Sequence, residues 1–182
     1  CIRDREGATR RTLDAMDQGG LRDQLGGGFH RYCVDRDWTV PHFEKLLSDN
    51  ALLLGIYARA SVALAEPRWR ETCESIVDWL EREMRVGPAY ATSVDADTGH
   101  EEGSTYTWTP QEITEILGDQ AEAFCWAYGI SDSGNFEGGR SVPTFRTAAS
   151  RASFAQARRR MREARDSRPQ PGRDDKILLG WN

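Results

Sequence analysis

His30 and His42 are the side chains best suited to move a proton, because an imidazole with a pKa of about 6.5 changes charge near neutrality. They flank a connecting loop, an arrangement from which two imidazoles could reach one cavity from opposite sides. One would remove and the other return a proton at a sugar carbon. Glu44, Lys45 and Asp49 follow closely on His42, and Lys45 and Asp49 stand at the spacing of a helical ion pair. The competing reading is a mutually paired polar network that fixes packing, since buried polar groups are expensive without partners. Upstream, Gly26, Gly27 and Gly28 lead into Phe29, His30 and Arg31. Such glycines let backbone approach a ligand closely, with His30 and Arg31 holding an acidic or hydroxylated group. The run matches neither the phosphate-loop nor the dinucleotide fingerprint, and a ligand-free tight turn is the alternative.

Asp95, Asp97, Glu101 and Glu102 crowd a second stretch. Like charges this close are solvated, bound to a cation or shifted in pKa. A calcium loop fails on its fifth and twelfth positions, Gly99 and Tyr106. Paired carboxylates could cleave a glycosidic bond as acid and as base or nucleophile, with their separation deciding which. Tyr106 and Trp108 offer apolar faces nearby. At the end of the chain Asp175 is a helix-cap or ligand residue, and Trp181 and Asn182 are types that stack on and hydrogen-bond sugars. The candidate catalytic groups are thus His30, His42, Glu44, Asp95 and Asp97. Candidate binding groups are Arg31, Lys45, Asp49, Glu102, Tyr106, Trp108, Asp175 and Trp181. None of this chemistry requires a metal or organic cofactor.

These groups need elements to position them. Helical periodicity covers residues 3–16, 39–65, 68–84 and 150–165, with shorter helices over 110–117, capped by Thr109, and 120–128. A helix from Thr39 would put His42, Lys45 and Asp49 on one stripe with Leu46, Leu53, Ile56 and Ala60, facing inward. Residues 89–94 and 104–108 read as strands that pair as a hairpin with the acidic stretch at its tip. The 182 residues, 38% apolar, suffice for one substantial core. No apolar run approaches the roughly 20 residues of a membrane span. Cys1, Cys33, Cys73 and Cys125 form no C-x-x-C pair, which points away from zinc and dithiol chemistry and toward a reducing, cytoplasmic setting. The net charge of -5 gives no support for nucleic-acid binding. Arginines from Arg151 to Arg168, among them Arg158, Arg159, Arg160, Arg162 and Arg165, read as a solvated helix face, because no aromatic residues interleave to stack on bases.

The order of motifs is more specific than any one of them. GGGFHRY, W-x-V-P-H-F-E-K-L-L, D-N-A, S-V-D-A-D-T-G-H-E-E-G, Y-T-W-T, G-N-F-E and D-D-K-I-L-x-x-W-N succeed one another from about Gly19 to Asn182. The series resembles the YyaL-like thioredoxin-domain-containing proteins, which include the spermatogenesis-associated members. The resemblance implies an all-α fold: part of an (α/α) toroid of the six-hairpin glycosidase type, with a short β-hairpin in a loop. It also implies a thioredoxin-like domain ahead of this segment and a carbohydrate-related role. At roughly 11 to 12 residues per helix plus loops, residues 1–182 are expected to be one part of that toroid domain, truncated at both ends. Departures are modest: Ser48 replaces a usual tyrosine, Cys33 a usual serine, and Leu179 and Gly180 a more polar pair. Sugar epimerisation or isomerisation, or glycoside processing, by histidine and carboxylate acid/base groups is one expectation. A non-catalytic module that presents clients to the thioredoxin-like domain is the other.

Overall fold

A computed structural model describes residues 2–182; Cys1 lies outside the described residues. Helix α1 (Ile2–Gln18) precedes strands β1 (Tyr32–Cys33), β2 (Pro41–His42) and β3 (Lys45–Leu46), and α2 (Leu47–Ala63) follows. Helix α3 (Arg68–Trp79) runs on as a π-helical turn (Leu80–Met84) into β4 (Arg85–Val86), β5 (Ala89–Tyr90), β6 (Ser93–Val94), β7 (Asp97–Thr98) and β8 (Glu101–Glu102). Then come α4 (Pro110–Leu117), α5 (Ala121–Tyr128), α6 (Ala155–Asp166) and β9 (Arg173–Asp174).

About 49% of the chain is helical and 12% is strand, so the fold is mixed α/β and the all-α expectation, a partial toroid with one hairpin, is overturned. The physical reason lies in the connections. Their backbone groups must be paired somewhere, and here they pair with one another in small antiparallel sheets. Strands of two residues are too short to show a two-residue period in the sequence. β3, β6 and β9 form a three-stranded sheet, with Lys45 opposite Val94 and Ser93 opposite Asp174. β1 pairs with β2, placing Tyr32 opposite His42. The hairpin of 89–94 with 104–108 does not form: β5 folds back on β4, β6 joins the central sheet, and the acidic stretch makes its own β7–β8 hairpin.

The expected helix from Thr39 is also corrected. Residues 41–46 are extended, and α2 begins only at Leu47, burying Leu47, Asn50, Tyr57 and Ala60 while Ile56 stays exposed. The shared inward stripe of His42, Lys45 and Asp49 therefore does not exist. Elsewhere local signals hold. Thr109 accepts from the Glu112 backbone while Glu112 reaches back, a capping box with Pro110 in the first turn of α4. In α3, Trp69, Ile76 and Trp79 recur at helical spacing and are fully buried with Tyr57 of α2 and Met84 of the π-turn. A second cluster joins α4, α5 and α6 through Ile113, Phe124, Tyr128 and Met161, and Phe43, Tyr106 and Val142 form a third. The arginine segment is not merely a solvated face. Arg151 is buried on Asp17, Arg165 is buried on Asp23, and the Arg168 guanidinium lies 3.5 Å from the Trp108 ring centroid. Among the described residues no helix is long and apolar enough to cross a membrane.

Candidate functional site

Residues 41–45 run extended, so alternate side chains point to opposite faces. Pro41, Phe43 and Lys45 are buried, while His42 and Glu44 face outward, half-buried. On the outer face the His42 Nδ1 lies 2.7 Å from Glu102 Oε1, its Nε2 is 3.9 Å from Glu44 Oε2, and Arg31 donates to that same Glu44 oxygen at 2.8 Å. Tyr32 stacks on the imidazole at 5.1 Å. Glu102 arrives on β8 and also lines a cavity of about 640 Å³ with Pro41, Glu101, Thr107, Phe136 and Arg140. Four expected site residues, Arg31, His42, Glu44 and Glu102, thus converge from three parts of the sequence. In the tautomer that protonates Nδ1, the imidazole donates to Glu102 and presents a lone pair at Nε2. That is the arrangement of a histidine base oriented by an acid.

The inner face is a sealed network. Lys45 Nζ donates to Asp23 Oδ2 at 2.7 Å and to the Gly27 carbonyl at 2.9 Å. Arg165 donates to the same Asp23 oxygen at 2.6 Å, and the Leu25 and Gly26 N–H groups donate to Oδ1. Burial opposes charge on Asp23, but Arg165 and then Lys45 outweigh it and hold the carboxyl well below its ordinary pKa. His30 is 2% exposed, with Nδ1 donating to the Phe43 carbonyl at 2.8 Å and its ring edge-on to Phe43 and Tyr106. Burial, reinforced by the Lys45 charge, pushes its pKa down to about 3. His30 is therefore a neutral core residue. It lies on the buried side of the segment and His42 on the open side, so the two do not share a cavity. The glycine run serves this packing. Gly28 has φ +71°, and a Cβ there would stand 2.7 Å from the Trp79 ring.

The remaining expected residues lie outside the His42 cluster. Lys45 pairs with Asp23 and not with Asp49, which accepts from Ser48 instead. Asp95 and Asp97 are exposed; Asp97 faces Glu102 across the β7–β8 hairpin. Trp108, 1% exposed and covered by Arg168, offers no face to a ligand. Tyr106 is stacked beneath Phe43 at 5.7 Å. Asp175 pairs with Arg173, and Trp181 packs half-buried against the first helical cluster. Sequence reasoning missed Asp23, Arg165 and Asn50. The last accepts from Phe29 N–H and donates to its carbonyl, clamping the strand edge beside His30. Asp23, three residues before Gly26, carried a turn signal, whereas Arg165 carried none.

Fold and site define a mixed α/β segment whose helices are tied by a buried Asp–Lys–Arg network and whose surface carries a carboxylate-held histidine. No family model matches the chain. It is similar to spermatogenesis-associated protein 20 of Homo sapiens, 32% identical over 94% of the chain, and to the proteins of the same name from Rattus norvegicus and Mus musculus, each 30% identical over the same share. The chain belongs to this spermatogenesis-associated family, and it spans 27% of the length of these relatives.

Proposed function

We propose that this segment contributes the acid/base group of a carbohydrate-processing site, with His42 as that group. The carrying observation is the 2.7 Å contact of His42 Nδ1 with Glu102, whose side chain is shared with the lining of a cavity large enough for a sugar. Sugar isomerisation, in which one imidazole takes a proton from one carbon and returns it to the neighbouring carbon on the same face of an enediol, fits this geometry better than epimerisation by exchange between two, because His30 is enclosed and neutral. Arg31 and Glu44 would hold hydroxyls beside the transferred proton. A cytoplasmic setting is supported by the free thiols of Cys33, Cys73 and Cys125.

The test is solvent deuterium exchange into mono- and oligosaccharides, paired with calorimetric binding, on the full-length protein. His42→Ala is expected to lower exchange by about 10²-fold or more, and Glu102→Gln to lower it with little change in binding. No sugar binding, or exchange indifferent to His42→Ala, would remove this reading. A second reading is favoured by the mutual pairing of Asp23, Lys45 and Arg165: a non-catalytic module that presents clients to a thioredoxin-like domain. It predicts clients trapped as mixed disulfides, and a His42→Ala variant that retains client capture.

A further inference from the structure

A separate cavity of about 460 Å³ opens between the π-turn after α3, the end of α6 and β9. Phe43 stands between the two hollows, touching Phe136, which lines the first, and Tyr106, which lines the second. Tyr106 is the floor of this second hollow. It is 6% exposed, its ring enclosed by Phe43, by His30 at 4.9 Å, by Lys45 Nζ at 5.1 Å and by the Arg165 guanidinium at 5.4 Å. Its hydroxyl has no hydrogen-bond partner among the described residues, and the ring's enclosure leaves that end of the side chain to meet the cavity. A phenol this deeply buried ordinarily finds a partner.

The charges around it define what that partner is. Arg82 is tied to Glu83 at 2.7 Å and Arg173 to Asp175 at 2.5 Å, so neither cation is free to recruit an anion. Asp166, exposed at the rim, adds a third carboxylate, and beneath Tyr106 the Arg165 and Lys45 cations are both paired with Asp23, so the surrounding charges balance and none is left over for an anion. The field does not favour phosphate or a carboxylate ligand. Carboxylates accept from hydroxyls, guanidinium groups donate to them, and Val94 with Pro171 supplies an apolar wall for C–H groups. We infer that this hollow binds a neutral, polyhydroxylated small molecule of mono- or disaccharide size, with the Tyr106 hydroxyl and Asp166 as its hydrogen-bonding partners. The inference stands on this lining and not on the His42 site.

Saturation-transfer NMR and calorimetry with glucose, N-acetylglucosamine and maltose, on the full-length protein, test it. Tyr106→Phe removes one buried oxygen without changing packing, and Asp166→Asn removes one surface charge. Each is expected to weaken binding by about three- to tenfold, the effect of one hydrogen bond, with the circular dichroism spectrum unchanged. Sugar binding that is identical in wild type, Tyr106→Phe and Asp166→Asn would overturn the proposal, as would absence of binding by all three sugars. Competition by inorganic phosphate at comparable concentration would overturn the neutral-ligand assignment. Carrying His42→Ala through the same titrations separates the two sites: binding lost there but intact in Tyr106→Phe leaves the His42 reading standing and ends this one.

Discussion

His30 offers the sharpest check on the buried network, because its environment converts directly into a pH dependence of stability. In the folded protein burial keeps the imidazole neutral down to a pKa of about 3, whereas in the unfolded chain it takes up a proton near pH 6.5. Between those values the unfolded state binds more protons, so stability is fully present above about pH 6.5 and falls as the pH falls. The slope is about 1.4 kcal/mol per pH unit. Between about pH 7 and pH 4.5 the accumulated loss is about 2.5 kcal/mol. The perturbation is His30→Gln, which keeps an N–H able to reach the Phe43 carbonyl but cannot titrate. Urea denaturation of both proteins across that range is the assay. At pH 7 the variant is the less stable, for lost ring contacts with Phe43 and Tyr106; toward pH 4.5 the gap closes by about 2.5 kcal/mol. Parallel stability curves, or an NMR resonance of folded His30 titrating near 6.5, would refute the reasoning.

Four further outcomes follow from the same structure. Asp23→Asn leaves buried Lys45 and Arg165 short of their shared anion and is expected to cost about 3–5 kcal/mol in urea denaturation; a loss below about 1 kcal/mol would mean that the network is not what ties α6 to the glycine turn. Because the Asp23 carboxyl is held well below its ordinary value, its contribution is present above about pH 4 and is lost as acid protonates it, a loss absent from Asp23→Asn. Thr109→Ala removes the side-chain half of the α4 capping box and should lower stability by about 1 kcal/mol, measured by thermal melting; unchanged melting would count against that cap. Gly28→Ala forces a Cβ against Trp79 at positive φ and should destabilise by more than about 1 kcal/mol, whereas a neutral result would contradict the close approach of turn and helix.

Much of the helical framework was legible in the residues. Pro67 ahead of α3, Thr109 and Glu112 around α4, and the glycines after α4 and α5 act within a few positions of themselves, and all appear where the sequence puts them. The start of α2 was not legible, because Thr39 and Pro41 form a plausible helix entry, whereas Pro41 and His42 pair with β1 and Lys45 and Leu46 with β6. That single shift of the helix start separates His42 from Lys45. In a helix they would share a face; in an extended segment, three residues apart, they point oppositely. The site was legible in part: Arg31, His42, Glu44 and Glu102 were named by residue type, but not that they would meet and His30 would not.

What the sequence determined alone was the set of helices, the membership of a family through ordered motifs, and the residue types able to move protons or hold hydroxyls. The helices depend on neighbours within a turn or two of chain, and the family likeness on the order of short motifs along it. Which imidazole faces water, which carboxylate holds it, and that Asp23 and Arg165, 142 positions apart, share one buried ion pair were decided only in three dimensions. The energies that select these pairings come from burial and distant charges, and neither is written in local spacing.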